Sequence, residues 1–378
     1  MQVAGYCPLV SSIPDRVRSL MAKSGLSLHD FAEHVDLDAA QLSASLSGAS
    51  AFSVVDLACI ADACEISMDW LLTGSETPLA VAARTTTGDA AEALEAAREY
   101  TSRRTDLDTL GYPQPWRPVT ATARPGASYA ARGEALARAA LKETARQGRS
   151  AIAGNLGELI EETFGADVAV VQLGDGFDGL AATARGTKLI LLAATSNPAR
   201  QRFTLAHELG HLLAGDNQEV HLDRDIFSPA QKKDPSEQRA NAFASAFLMP
   251  EEILREAITS VGLTRASYAA LACDLMVSPE ALAYRLLYLR LIDAGTCDRY
   301  KRMTASEAAQ LAGRSEEFEQ RAVLSQKPRL PGLLVRDTRA AYEAGKSTVR
   351  PYATLLGVDA DELKNELDER RRDNGGAA

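Results

Sequence analysis

Cysteine is scarce in this chain of 378 residues, and its few copies are spaced without a metal-binding pattern. The five are Cys7, Cys59, Cys64, Cys273 and Cys297; they form no C-x-x-C pair, and their number is odd. This usage argues against a disulfide framework and favours a reducing cytoplasm. The chain also lacks a basic start followed by an apolar run, and it has no apolar run of about 18 residues. We therefore expect neither a signal peptide nor a membrane span.

Positive charge is in deficit as well. The formal net charge is −10, with 46% hydrophobic and 24% charged residues, which is ordinary for a soluble globular protein. The excess of acid argues against a chain whose whole surface binds nucleic acid, although one local patch is compatible with it. The length predicts two or three domains, each with a core large enough to fold without disulfides.

Histidine occurs only five times, yet two copies fall in one short motif, His207-Glu208-x-x-His211. On a helix, residues four apart share a face, so His207 and His211 can grip one ion while Glu208 serves as general base for a metal-bound water. The alternative is that two histidines happen to lie four apart on a buried helix. Chance rarely places two of so few histidines around a glutamate in this way, so we favour a metal site that needs a third ligand.

The flanks of the motif predict the bounds of this helix. Asn197 can cap it, Pro198 suits its first position, and Gly215 can end it in the left-handed conformation. Gly210 inside the helix costs about 1 kcal/mol relative to alanine. We expect its reason to be the close approach of another backbone or of a substrate.

A second motif supplies the third ligand. Pro235 favours a helix start, and Glu237 and Asn241 then share one face of that helix. Two histidines, one glutamate and an open water position form a known catalytic zinc set, and Asn241 can hydrogen-bond a ligand from behind. Taken alone, Glu237 would be read as a solvated first-turn acid that favours the helix dipole. Together with the upstream motif, the ligand role is preferred.

The two motifs together resemble the ImmA/IrrE family of metallopeptidases over roughly residues 130–250. The second motif reads Glu237-x-x-Ala240-Asn241-x-Phe243-Ala244-x-x-Phe247-Leu248-Met249-Pro250. The resemblance implies that His207, His211 and Glu237 hold Zn²⁺, with Mn²⁺ as the alternative, and that Glu208 is the base. It also implies an endopeptidase that cleaves a partner transcriptional repressor, often one with a Cro/C1-type helix-turn-helix, and so switches on mobile-element or stress genes.

Three β-branched or apolar stretches precede the metal helix, at 167–173, 179–184 and 187–193. They predict a small antiparallel sheet. In zinc peptidases of this layout an edge strand lies beside the metal, where a substrate segment can pair with it by main-chain hydrogen bonds. Residues 187–193 are our candidate for that edge.

The first part of the chain reads as short capped helices and resembles the Cro/C1 (XRE) type of helix-turn-helix domain over about sixty residues. The resemblance rests on Leu28-x-x-Phe31-Ala32, on Leu42 to Gly48, and on the closing Asp69-Trp70-Leu71-Leu72-Thr73-Gly74. By analogy, residues 38–47 would be the recognition helix, with Gln41, Ser43 and Ser45 as its polar readers of DNA. Residues 12–74 hold three cations against nine acids, however. Because phosphate contacts supply most non-specific affinity for DNA, a module for protein contact or homodimerisation is the alternative.

These observations predict an α+β, mostly helical protein. We expect a Cro/C1-type domain at 1–76, a linker with one helix and a proline-rich stretch at 77–127, a zincin-like core at 128–258, and a helical C-terminal region at 259–378. Tyr112 and Trp116 would hold the proline-rich connector to a neighbour. A different class of function also fits: a helix-turn-helix regulator or antitoxin-like protein whose peptidase fold serves sensing or partner binding.

Overall fold

The computed structural model describes residues 12–64, 66, 71–72, 88–151, 154–173, 177–184, 186–216, 220–223 and 234–375. Most of them are helical, and one four-stranded sheet is the only sheet among them, which confirms the predicted mixture of many helices with a small sheet. Over these ranges, no helix is both long enough and apolar enough to cross a bilayer. Two compact units emerge, one within residues 1–78, 99–113 and 334–378 and the other within 79–98 and 114–333.

The elements are numbered along the described parts of the chain. The strands are β1 (Asp167–Val171), β2 (Gly179–Ala184), β3 (Thr187–Ala193) and β4 (Val220–Asp223). The helices are α1 (Ile13–Ser24), α2 (Leu28–His34), α3 (Ala39–Ser47), α4 (Val54–Ala63), α5 (Gly88–Thr109), α6 (Tyr129–Arg146), α7 (Leu156–Phe164), α8 (Pro198–Ala214), α9 (Pro235–Leu248), α10 (Glu251–Val261), α11 (Arg265–Leu275), α12 (Pro279–Tyr288), α13 (Ala294–Tyr300), α14 (Ala305–Leu311), α15 (Ser315–Leu324), α16 (Gly332–Glu343), α17 (Arg350–Leu356) and α18 (Ala360–Gly375).

In the first unit, α1 to α4 begin where the sequence places capping side chains. Ser12, Ser27, Asp38 and Ser53 each accept a backbone N–H of the turn that follows, which satisfies donors that a helix start leaves unpaired. The apolar faces enclose a core that includes Val17, Phe31, Val35, Leu42 and Ile60. The last helix predicted here, from residue 67 to 74, lies outside the described residues except for 71 and 72.

The same unit contains a buried ion pair. Arg104 on α5 contacts Asp337 on α16 at 2.6 Å, and both side chains are almost fully buried. The phenol of Tyr112 donates to the carbonyl of Ala340 at 3.1 Å, so Tyr112 holds the start of the connector, as the sequence predicted. A charge removed from water in this way is tolerated only because its partner is in place.

The sheet in the second unit has the order β1-β3-β2-β4 and is mixed. β1 pairs parallel to β3, whereas β3 with β2 and β2 with β4 are antiparallel. The prediction of a purely antiparallel sheet was therefore wrong, because α7 leads the chain into β1 and only the β2–β3 connection is a hairpin. The prediction that residues 187–193 form an edge was also wrong: β3 is paired on both sides, and its apolar side chains are buried throughout.

The outer edge of β1 is covered by residues 325–329, which we call the edge segment. Val170 and Arg329 exchange two backbone hydrogen bonds, each 2.9 Å long, in an isolated antiparallel bridge. The Arg329 guanidinium also pairs with the buried carboxylate of Glu161 on α7, which further accepts the N–H of Gly332 at 2.7 Å. The edge segment therefore occupies hydrogen-bonding positions that an exposed strand would otherwise present.

Close packing of α6 and α8 against α9 explains why positions 133 and 210 are glycine. A Cβ at Gly210 of α8 would lie 3.0 Å from the ring of Phe243 and 3.3 Å from the Cα of Ala240, both on α9. The expected close approach of a backbone at Gly210 is therefore present. At Gly133 of α6, a Cβ would overlap the carbonyl oxygen of Arg239. Both neighbours of α9 approach closely because they carry no side chain at the crossing point.

The proline-rich connector runs without regular structure from residue 113 to 124, as predicted. Gln114 accepts the backbone N–H of Lys188 at 2.6 Å and donates to Lys188 O and to the Asp167 carboxylate. Trp116 packs against the main core of this unit and lies under the Lys188 ammonium. Gly165 has φ +78° where the connector passes, so a side chain there is excluded both by conformation and by contact with Pro115. The connector is thus fixed to the starts of β1 and β3.

Candidate metal centre

Helix α8 carries three of the predicted site residues and has the predicted bounds. Asn197 accepts the N–H of Arg200 at 3.0 Å, Pro198 is its first residue, and Gly215 ends it with φ 67°. Its central turns are buried, so His207 and Glu208 are 0% exposed and His211 is 2% exposed. The one helix therefore delivers all three side chains into the protein interior.

Helix α9 brings the fourth residue to the same place. Asp234 caps it, and Glu237 lies in its first turn at 2% exposure. The Glu237 carboxylate lies 3.4 Å from Nε2 of His207 and 3.5 Å from Nε2 of His211. The two Nε2 atoms are 3.0 Å apart. Burial excludes the reading of Glu237 as a solvated first-turn acid.

The other nitrogen of each imidazole faces an oxygen. Nδ1 of His207 lies 3.1 Å from Oδ1 of Asn241, and Nδ1 of His211 lies 2.8 Å from Oδ2 of Asp216. We assign the proton of each ring to Nδ1, because only a donor at that position satisfies the oxygen opposite. Each Nε2 then presents a lone pair to the centre of the cluster, as metal-ligating histidines do.

The three converging side chains fit a divalent cation. Two imidazole lone pairs and a carboxylate meet within 4.8 Å of one another, in an arrangement that would be repulsive without positive charge between them. A tetrahedral zinc ion with bonds of about 2.0–2.1 Å separates its ligand atoms by about 3.3–3.4 Å. The measured separations of 3.0–3.5 Å are close to that value.

Glu208 lies against the start of β2. A Cβ built on Gly179 would be 3.4 Å from Oε1 of Glu208 and would overlap the Thr204 side chain, one turn earlier on α8. Gly179 therefore leaves room for the helix to approach the sheet at the level of the glutamate. The Glu208 side chain is thus buried where α8 approaches the start of β2.

Sequence reasoning missed Asp216 and Arg239. Arg239 on α9 forms an ion pair with Oδ1 of Asp216 while the other oxygen holds His211. The sequence signal that could have predicted the Asp216–His211 contact is an acid immediately after Gly215. A glycine in the left-handed conformation at a helix end turns the chain back toward the last helical turn, where His211 lies. His221 lies in β4, where its backbone is paired with that of Ala181.

The three side chains proposed to read DNA on α3 have different surroundings. Ser45 is 1% exposed and hydrogen-bonds Ser50 at 3.0 Å, so its assignment as a reader is wrong: its position on α3 faces the core. The Gln41 amide donates to both oxygens of Asp56 at 3.1 Å. Ser43 is exposed. Of the three predicted DNA readers, Ser43 is thus exposed and takes no part in the hydrogen bonds described for Gln41 and Ser45.

With this geometry in place, comparison with known proteins defines a class of domain. Residues 162–287 match the family model of the IrrE N-terminal-like domain (Peptidase_M78). All four residues of the cluster, Glu208 included, fall within the matched segment. The match supports the ImmA/IrrE resemblance for this part of the chain.

Individual relatives match over a shorter stretch. The chain is 36% identical over 99 residues to the radiation response metalloprotease IrrE of Deinococcus radiodurans, which covers 26% of this chain and 30% of the relative. The protein of the same name from Deinococcus deserti is also 36% identical over 99 residues, covering 26% of this chain and 35% of the relative. This chain therefore aligns with about a third of the length of the curated relatives it matches.

Proposed function

We propose that this protein is a zinc-dependent endopeptidase that cleaves a partner regulatory protein, a transcriptional repressor, and so switches gene expression in a stress response. The observation that carries the proposal is the buried convergence of His207, His211 and Glu237, with Glu208 on the same helix. The name of the Deinococcus relatives, radiation response metalloproteases, supports both the chemistry and the setting.

Each residue of the site has a separate role in the proposed reaction. A divalent cation held by the three ligands would polarise the scissile carbonyl and make a bound water acidic. Glu208 would serve as the proton carrier, taking a proton from the attacking water and giving it to the leaving amine. Asn241 and Asp216 fix the two imidazole rings so that each Nε2 faces inward. Burial of all four groups strengthens their electrostatic interactions, because little water competes with them.

We propose β4 rather than β3 as the strand that receives the substrate. Among the described residues, β4 pairs only with β2, so it forms the sheet edge on the side of Gly179 and Glu208. A substrate segment added along this edge would be held by main-chain hydrogen bonds that are independent of its sequence. Selection of one substrate would then require contacts elsewhere on the protein.

The substitution Glu208→Gln tests the enzymatic proposal. It keeps the size of the side chain and leaves the three ligands in place, so zinc content measured by plasma mass spectrometry should stay near one per chain. Cleavage of the repressor should fall by about 100-fold or more, since a positioned general base contributes about 10²–10⁴. His211→Ala is the matched variant that should lose both zinc and cleavage. Wild-type protein without a divalent metal would contradict the site.

The first unit is proposed as a recruiting module with a Cro/C1-type helix-turn-helix. Its helix α3 carries no lysine or arginine, and Ser45 is turned inward, so we favour protein contact over DNA reading. A regulator that acts without proteolysis remains the second proposal for the whole chain. The two are separated in cells: an unchanged phenotype in the Glu208→Gln variant would favour the regulator.

A further inference from the structure

A cavity of about 470 Å³ lies in the second unit, outside the metal centre. Its wall is formed by parts of α7, β1, α8, α11, α14 and α15, and most of its lining side chains are aliphatic, among them Val168, Leu205, Ala272 and Met276. Cavities of about 300–1,000 Å³ with apolar walls and a few polar groups are typical of small-molecule sites. None of His207, Glu208, His211 or Glu237 lines it.

The described charged side chains of this cavity are all positive. Among the described residues that line it, the charged ones are Arg202, Arg314, Arg321, Lys327 and Arg329, and none is an aspartate or glutamate. Three of these cations have acidic partners outside the lining: Asp274 for Arg314, Glu317 for Arg321 and Glu161 for Arg329. Across the described ranges, Arg202 and Lys327 have no carboxylate partner. The cavity therefore has two uncompensated positive charges.

Arg202 is the more informative of the two, because it is partly buried on α8. One of its terminal nitrogens donates to the carbonyl of Ala151. Its Nε is enclosed and has no hydrogen-bond partner within the described part of the protein. Burial, assisted by the charge of Arg321, lowers the pKa of the Arg202 guanidinium to about 10. The Arg202 guanidinium thus lies at the wall of an apolar cavity with no carboxylate beside it among the described residues, and a bound anion would supply the missing countercharge.

Arg202 and Leu205 meet the cavity from the side of α8 that faces away from the two histidines. Each residue turns an α-helix by about 100°, so Arg202 lies about 180° from His211 around the axis. Leu205, the neighbouring cavity residue, lies about 160° from His207. A molecule in the cavity would therefore contact the back of the metal helix without touching the ligands.

We propose that this cavity binds a small aliphatic carboxylate, with its head group on Arg202 and its tail along the wall formed by Leu205, Ala272 and Met276. The planar guanidinium can pair with a carboxylate through two parallel hydrogen bonds. The tail replaces water against aliphatic side chains. Lys327, exposed at the rim, adds attraction for an anion. This proposal does not rest on the peptidase function.

Calorimetric titration of the full chain with decanoate tests the head-group assignment. We expect one molecule of decanoate to bind per chain, and decyltrimethylammonium, with the same tail and the opposite charge, to bind at least tenfold more weakly. Arg202→Gln should weaken decanoate binding at least tenfold. Arg255→Gln removes a charge from the exposed surface of α10 and should leave it unchanged. Equal decanoate affinity in all three proteins, or no binding to the wild type at millimolar concentration, would overturn the proposal.

A second variant tests the tail. Ala272→Leu adds three carbon atoms to the cavity wall without changing any charge, and it should reduce decanoate affinity at least tenfold. Butyrate, which has the same head group and a short tail, should bind more weakly than decanoate to the wild type and lose less affinity in this variant. Unchanged decanoate affinity in folded Ala272→Leu protein, with folding checked by circular dichroism, would refute the tail position.

Discussion

Removing the charge of Asp216 is the most direct test of how the metal centre is supported. Its Oδ2 lies 2.8 Å from Nδ1 of His211, and its other oxygen pairs with Arg239. Asp216→Asn keeps the shape of the side chain but replaces the carboxylate with an amide, which makes the imidazole a weaker base and a weaker ligand. Loss of such a supporting group typically lowers metal affinity about 10–100-fold, or about 1.4–2.7 kcal/mol.

The assay is competition for Zn²⁺ against a fluorescent chelator at constant pH, with thermal unfolding of the metal-free protein measured alongside. Asp298→Asn is the matched control. Asp298 is an exposed acid that pairs with Lys301, three residues further along the chain, and it is far from Asp216 in the sequence. Arg239→Met separates the two contacts of Asp216: it removes the ion pair but keeps the carboxylate on His211, so it should cost less zinc affinity. Asp216→Asn protein that binds Zn²⁺ as tightly as the wild type would refute the reasoning.

Three further predictions concern the scaffold. Gly133→Ala should destabilise the protein by about 1–3 kcal/mol in denaturant unfolding, because the new Cβ overlaps the backbone of α9; unchanged stability would contradict the packing. The pKa of Asp234 is lowered from 3.8, chiefly by a hydrogen bond from Ser236, so its stabilising effect is present above pH 3.8 and is lost as pH falls through the lowered pKa; Asp234→Asn, which still caps, should show a flatter acid limb. Arg104→Met should cost about 3–5 kcal/mol because Asp337 stays buried, whereas Arg103→Met, at a neighbouring and partly exposed ion pair with Glu99, should cost under about 1 kcal/mol.

Local signals made much of the metal centre predictable. The bounds of α8 follow from a cap at Asn197, a proline at its first position and a glycine at its end, and each of these acts through its own backbone geometry. The separation of His207 and His211 fixes their shared face. Glu237 could be named because its helix start is equally well marked by Asp234 and Pro235.

What the sequence could not give depends on distant parts of the chain. Whether β3 is central or at an edge depends on β1 pairing in parallel after a long connection, and strand order leaves no trace in the local alternation of side chains. The burial of Ser45 was not predicted, because serine is common at surface positions and the sequence does not show that the Ser45 hydroxyl finds a hydrogen-bond partner in Ser50.

The edge segment bears on solubility as well as on architecture. Strand-to-strand association of two copies through β1 would first require residues 325–329 to detach, with loss of the Arg329–Glu161 pair and of both bridge hydrogen bonds to Val170. A variant that weakens this attachment would therefore expose the unpaired edge of β1 before the molecule unfolds. Aggregation in such a variant would be expected to begin at temperatures where helix content is still native.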